Sequence, residues 1–207
     1  IGILDPWDAR KLIHTFAAPL FMITWPLFSN APGARMFAAS VTTLNAIRLI
    51  LASRHSESEL GRSVSRSGDT REAAGGPLIY VCMTTIFLLL FWRTTPVGIV
   101  SISALAAGDG MADLIGRRYG KTNPWPRSRK SVVGSVAFWL SSSLVSVGLI
   151  KWMEVTGCMT VDVIDLIPKI AFITFVSAIF EVVSESFGDD NYTVPITAGL
   201  LSMLLLQ

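Results

Sequence analysis

Seven apolar runs constrain this chain more than any other feature. They cover residues 14–29, 36–53, 77–92, 96–115, 132–152, 166–183 and 194–206. Most approach the roughly 17–25 residues that a helix needs to cross a hydrocarbon core; the first, third and last are short. None alternates with a period of two, and only helices or closed barrels satisfy every backbone group inside a bilayer. The runs therefore predict an all-α polytopic membrane helix bundle with about seven transmembrane helices. Composition agrees, with 51% of the 207 residues hydrophobic and 15% charged and a mean hydropathy of +0.55. Such values exclude an ordinary soluble domain. Pro19, Pro26, Gly98 and Gly148 fall inside the runs, where membrane helices tolerate them. The length suits one bundle, so residues 1–207 are expected to form a single integral-membrane domain. The chain opens at Ile1 without a signal or transit segment, which reads as a mature or N-terminally trimmed chain.

Charge distribution sets the expected topology. Seven spans in series place the residues before 14 and the loops 54–75, 117–131 and 188–193 on one side. The other side receives 30–35, 93–95 and 153–165. Only Arg35, Arg93, Lys151 and Lys169 fall with the second side, and the remaining thirteen of the 17 Lys and Arg residues fall with the first. The positive-inside rule puts the basic side in the cytoplasm, or in the stroma if the membrane is plastidial. The 54–75 segment mixes both charge signs with Ser and Gly and reads as a solvated loop with one short helix over 56–65. Trp25, Trp92, Trp125, Trp139 and Trp152 read mostly as an interfacial belt. Cys82 and Cys158 match neither a disulfide framework nor a metal-site spacing and read as inert thiols.

The chemistry gathers on the basic side. The fourth run ends in Gly108-Asp109-Gly110-Met111-Ala112-Asp113-Leu114-Ile115-Gly116-Arg117-Arg118. Ionisable groups near membrane depth are costly and tend to mark a site. Asp109 and Asp113 are four apart, so a helix puts both on one face. Paired carboxylates hold a hard cation such as Mg²⁺ through oxygen, and Arg117, Arg118 and Lys121 suit the phosphates that such a cation accompanies. Loop 117–131 carries six basic residues and no acid. Glu181 and Glu185, again four apart, lie near the same end of the sixth run, with Asp189, Asp190 and Asn191 just beyond. A triphosphate carries about four negative charges, and its transfer relies mainly on positioning and charge stabilisation. Structural alternatives exist for each feature. The loop could be topological signal and anionic-lipid contact. Asp113 could pair with Arg117, Glu181 and Glu185 could face solvent at a helix end, and Asn45 with Arg48 could be a buried polar pair. The functional reading rests on their joint placement on one side.

These residues resemble a known family. The 108–121 segment, followed by Arg129-Lys130-Ser131-Val132-Val133-Gly134-Ser135, is similar to the nucleotide-binding signature of the polyprenol kinases. It is closest to that of the plant and algal phytol kinase and farnesol kinase group. Arg10-Lys11-Leu12-Ile13-His14, Trp25-Pro26-Leu27-Phe28-Ser29, Leu44-Asn45-Ala46-Ile47-Arg48-Leu49, Arg71-Glu72 with Gly76-Pro77-Leu78-Ile79-Tyr80, and Asp189-Asp190-Asn191-Tyr192-Thr193-Val194-Pro195 resemble further family blocks in the same order. Between Gly120 and Ser131 the basic character is kept, in place of the group's usual Lys-rich, Asn-containing turn.

The resemblance implies CTP-dependent phosphorylation of a membrane isoprenoid alcohol. Phytol would become phytyl phosphate, a step toward tocopherol in a chloroplast membrane, with the active face toward the stroma. It implies Mg²⁺ held by Asp109, Asp113 and Asp190. The nucleotide would meet Gly108, Gly110, Arg117, Arg118, Lys121, Lys130 and Ser131. Asp109, His14 and Glu181 are the candidate bases, Asp113 joins the catalytic set, and Asn45 and Arg48 would line the alcohol's path. The expected partners are the bilayer, the alcohol and CTP, with no nucleic acid. Three rivals stand beside it. A farnesol or geranylgeraniol kinase differs only in the tail. A cytidylyltransferase of the CDP-diacylglycerol type would release pyrophosphate. A transporter would place its charges near mid-span.

Overall fold

The computed structural model describes residues 6–126, 128–184 and 189–206. Glu185 and Arg127 lie outside these described residues. Among the described residues the fold is helical: α1 (Pro6–Ile23), α2 (Ala34–Arg54), α3 (Glu59–Val64), α4 (Gly76–Leu90), α5 (Pro96–Ser103), α6 (Asp109–Tyr119), α7 (Val132–Val155), α8 (Val163–Ser184) and α9 (Asp190–Leu205). Short 3₁₀ turns occupy Trp25–Leu27, Thr70–Ala74 and Gly120–Thr122. A π-helical turn, Ala104–Gly108, joins α5 to α6 without a break.

Seven long passes run in alternating directions. One end of the bundle gathers the starts of α1, α4, α7 and α9 with the ends of α2, α6 and α8, all around one cavity. The opposite end is tied by Arg93, which is 3% exposed. Its guanidinium donates to the carbonyls of Trp25, Phe28 and Ser29 and to Asn30 Oδ1. Those groups lie in the segment that follows α1, so Arg93 ties that segment to the turn before α5. Trp152 Nε1 donates to Ile23 O at 2.9 Å, fixing α7 to the same end. The ends that meet at the cavity are those that the order of the apolar runs predicts, whereas the expected count of seven membrane spans is not met, among the described residues, by helices that are each long and apolar enough to cross.

Among the described residues, five helices are long and apolar enough to cross a membrane: Ala34–Arg54, Thr70–Leu90, Pro96–Thr122, Val132–Val155 and Val163–Ser184. The other two passes fall outside that group. α1 carries Asp8, Arg10 and Lys11 in its first half, and α9 has 16 residues. The rod Pro96–Thr122 is the hub, with 83% of its apolar window buried against 28% to 39% in the other four. Its α5 section reads Pro-Val-Gly-Ile-Val-Ser-Ile-Ser with every residue buried, so it is apolar all round, as an encircled helix must be. The outer helices instead expose Leu20, Phe37, Leu144, Phe172 and Leu204. Apolar surface on that scale marks a lipid-facing exterior.

Two expectations change. The tryptophans are not simply a belt. Trp25 is fully buried and stacks near Trp92 with ring centroids 5.0 Å apart. Trp139 Nε1 donates to Ala171 O at 2.8 Å and so joins α7 to α8. The 54–75 segment is also more than a solvated loop. Gly61 of α3 comes so close to Thr70 and to Ala52 O that a Cβ there would lie 2.8 Å and 3.1 Å away. Glu72 accepts from Arg66 N and from Ser67 Oγ, the latter at 2.7 Å. Loop charges bonded to their own backbone hold a defined shape, and the segment walls the cavity with Leu60, Val64, Arg66 and Glu72.

Candidate active site

The cavity has a volume of about 1440 Å³. Its lining mixes apolar and charged side chains. Ile13, Ala17, Leu49, Leu60, Val64 and Val81 make the apolar part, from α1, α2, α3 and α4. Lys11, His14, Asp109, Asp113, Lys130, Glu181 and Asp190 make the charged one.

Asp109 is placed by the π-helical turn. Its N–H reaches back to the carbonyl of Ala104, five residues earlier. Such a turn loosens the carbonyl ladder, and neighbouring helices take up two of the oxygens. His14 Nε2 lies 3.2 Å from Leu105 O, and Ser141 Oγ donates to Ala107 O at 2.9 Å. Single π turns of this kind recur at functional sites. His14 Nε2 also lies 3.1 Å from Asp109 Oδ2. Both neighbours of that nitrogen are acceptors, so Nε2 carries the hydrogen. His14 thus braces Asp109 as a donor at this nitrogen.

Four carboxylates and two ammonium groups form the charged core. Lys11 Nζ lies 3.2 Å from Asp109 Oδ2 and 2.9 Å from Asp113 Oδ2. Lys130 Nζ contacts Glu181 Oε1 and lies 3.0 Å from Asp190 Oδ2. Burial works against the Lys130 charge, but Glu181 and Asp190 outweigh it and hold the ammonium above its usual range. Asp109, Glu181 and Asp190 each offer an oxygen, and these oxygens lie within 4.8 Å of one another. Three convergent carboxylates match the oxygen donors that a hard divalent cation takes.

Lys130 reaches this position because its loop folds back on α7. Trp125 N donates to Lys130 O at 3.0 Å, and Val132 N to Asn123 O at 2.9 Å. Trp125 Nε1 then donates to Ser135 Oγ at 3.0 Å. On the far side, Asp189 caps α9 by accepting from Asn191 N at 2.9 Å, which sets Asp190 in the first turn.

The other expected residues divide. Lys121, Arg117 and Ser131 line the cavity. Arg117 stacks on the Trp7 ring at 3.5 Å rather than pairing with Asp113. Ser131 caps α7, its Oγ accepting from Gly134 N at 3.1 Å. Asn45 lies on the cavity wall, whereas Arg48 and Arg118 do not. Arg118 instead holds Asp8 at 2.5 Å. Gly108 and Gly110 are packing glycines away from the cavity wall. A Cβ on Gly108 would meet the Phe138 ring at 2.8 Å, and one on Gly110 would meet Thr15 Oγ1 at 2.0 Å. Their bareness lets α7 and α1 close on the helix that bears Asp109.

Comparison with known proteins decides the family. The chain is 40% identical over 198 residues to the probable phytol kinase 1, chloroplastic, of Glycine max, covering 94% of this chain and 66% of that protein. It is 36% identical to the farnesol kinase, chloroplastic, of Arabidopsis thaliana, covering 99% of this chain and 67% of that protein. The chain belongs to the polyprenol kinase family, in the group of the phytol and farnesol kinases. Phytol kinase 1, chloroplastic, of Arabidopsis thaliana is 33% identical over 95% of this chain and 66% of its own length. The chain thus spans about two thirds of the length of these relatives. No family model and no solved structure matches it.

Sequence reasoning missed Arg10, Lys11, Trp7 and Arg66 as cavity residues. The Arg10-Lys11-x-x-His14 block held the available signal for the first two. Its three polar side chains lie three and four apart and so share one helical face. For Trp7 and Arg66 no local pattern points inward.

Proposed function

We propose that this chain transfers a phosphoryl group from CTP to the hydroxyl of a membrane isoprenoid alcohol, with phytol as the favoured acceptor. The observation that carries this reading is one cavity lined both by apolar side chains and by a cluster of convergent carboxylates with lysines. The apolar side chains suit the tail, and a cluster of three carboxylates beside Lys11, Lys130 and Lys121 suits a metal-bound triphosphate. The relatives named phytol kinase and farnesol kinase carry the names of isoprenoid alcohols, which supports an acceptor of this chemistry. The relatives named chloroplastic support a plastid membrane, and the one-sided basic residues favour an active face toward the stroma.

Asp109, Glu181 and Asp190 would hold Mg²⁺, which supplies charge neutralisation and alignment of the phosphates when bound. Every other contribution comes from the chain. Lys130 sits between two of those carboxylates and has the reach of a flexible four-carbon stem to turn its ammonium onto phosphate oxygens. Lys11 holds Asp109 and Asp113 in place through its two ion pairs. His14 holds Asp109 Oδ2 through its Nε2–H, and in this reading Asp109 or Glu181 receives the alcohol's proton. The alcohol oxygen bonds to the γ-phosphorus as the bond to the β-bridging oxygen breaks, yielding isoprenyl phosphate, CDP and a proton. Near-dry surroundings and fixed charges are what such a loose transition state needs.

The test is a transfer assay on purified protein in liposomes with Mg²⁺ and CTP labelled at the γ-phosphate. Phytol, farnesol, geranylgeraniol and phosphatidic acid run in parallel, with ATP and UTP as competing donors. Label is expected in phytyl phosphate. Label leaving as pyrophosphate with phosphatidic acid would instead establish the cytidylyltransferase, and folded protein that labels no lipid would end the kinase reading.

A further inference from the structure

The cavity contains a cation with no answer. Arg10 lies on its wall, and its Nε and Nη2 atoms are shielded from solvent without a hydrogen-bond partner. Its neighbours on the charged side are matched. Lys11 has Asp109 and Asp113, and Lys130 has Glu181 and Asp190. A guanidinium offers five N–H donors in a rigid fork, accepts nothing and does not shed its charge. Shielded donors of this kind require an acceptor.

The 66–72 segment adds a second guanidinium to the same wall. Arg66 lines the cavity, and its charge is among those acting on Arg10. The acids whose charges act on Arg10 are Asp113, Glu72 and Asp109; Lys11 holds the two aspartates, and both Glu72 oxygens accept from Arg66 N and Ser67 Oγ. Among the described residues the Arg66 guanidinium makes no ion pair. The loop therefore uses its carboxylate to hold the backbone and presents its guanidinium. Two guanidinium groups that make no ion pair among the described residues, beside one cavity, suit bidentate binding of phosphate oxygens.

We propose that Arg10 and Arg66 form a phosphate-binding subsite, separate from the carboxylate cluster, on the wall built by α1 and the 66–72 segment. Its ligand is a phosphate carried either by the nucleotide, as the non-transferred α- and β-phosphates, or by the isoprenyl monophosphate. The inference rests on the kinase reading for the identity of the ligand and on the cavity for its place. The subsite acts in binding, so its loss raises KM or Kd and leaves kcat comparatively unchanged.

The experiment measures equilibrium binding to purified protein in detergent with EDTA present, so that the metal cluster plays no part. CDP and farnesyl monophosphate serve as probes, on wild type, Arg66→Gln and Arg10→Gln. Arg66 is exposed, so Arg66→Gln retains the fold and decides the matter even if Arg10→Gln does not fold. A loss of about tenfold for CDP alone places the nucleotide's phosphates here, and the same loss for farnesyl monophosphate alone places the product's. Equal affinity of wild type and Arg66→Gln for both probes, or no binding of either probe to wild type, overturns the subsite. The label-transfer assay keeps the two readings apart. Transfer with unchanged binding in Arg66→Gln sinks only the subsite, and lost binding without transfer by wild type sinks only the kinase.

Discussion

Two lysines divide four carboxylates between them, and that division assigns different tasks to residues that look alike in the sequence. Asp109 and Asp113 are partnered by Lys11, and Glu181 and Asp190 by Lys130. Asp113 stands outside the group of three oxygens that lie within 4.8 Å of one another. Replacing Asp190 by Asn removes a charged oxygen from that group and is expected to raise the Mg²⁺ concentration for half-maximal activity by about tenfold or more, with saturating Mg²⁺ restoring part of the rate. Asp113→Asn is expected to cut turnover strongly while leaving the Mg²⁺ midpoint within about twofold, because its effect passes through Lys11. A Mg²⁺ titration of both variants checks this, and a larger midpoint shift in Asp113→Asn would return that residue to the metal. The sequence showed where acids and bases would meet, since i, i+4 spacing and sidedness are local properties. It could not show which acid meets which base. That depends on the crossing of α1 over the central rod, and residues 98 apart in the chain make the Lys11–Asp109 contact.

At the scale of the element, the central rod shows why the acidic block is rich in glycine. The bare faces at Gly108 and Gly110 admit Phe138 and Thr15, and the π turn before them re-aims Asp109 by one residue. The family resemblance implies that Gly108 and Gly110 meet the nucleotide. The structure gives these glycines to helix packing, and only a neighbour from another helix could have revealed that. Gly108→Ala drives a methyl group into the fully buried Phe138 ring, so it is expected to destabilise the protein by about 1–3 kcal/mol, the usual cost of overpacking. Phe138→Leu makes room for that methyl group. Adding it to Gly108→Ala should recover part of the loss, and a double-mutant cycle on thermal unfolding in detergent measures the coupling. Additive losses would mean that the ring does not set the spacing. The 54–75 segment teaches the converse. Mixed charge and serine looked like solvated loop, yet Glu72 and Asp69 spend their charges on local backbone N–H groups, which is how short polar segments become rigid walls.

At the scale of the molecule, sidedness was the most legible property of all. Apolar runs fix helices because a bilayer admits little else, and alternating loops fix which ends meet. The structure obeys that alternation, gathering the acidic and basic residues at one end and the Arg93 clamp at the other. Length was less legible, because α1 and α9 share the bundle while failing the criteria that the other five helices meet. The chain's own cysteines can test the alternation. Cys158 follows α7 at the end away from the cavity, and Cys82 stands on the exposed face of α4. With Cys82→Ser as background, Ser56→Cys places a second thiol on the exposed turn before α3, at the cavity end. Three passes separate these two positions: α4, the central rod and α7. In sealed vesicles of one orientation, a membrane-impermeant maleimide should therefore label one of the two thiols from outside and the other only after permeabilisation. Labelling of both from the same side would mean that one of those three passes does not cross. The α4 pass would then be the first suspect, since its apolar helix proper, Gly76–Leu90, has 15 residues and needs the 3₁₀ turn before it to span the core.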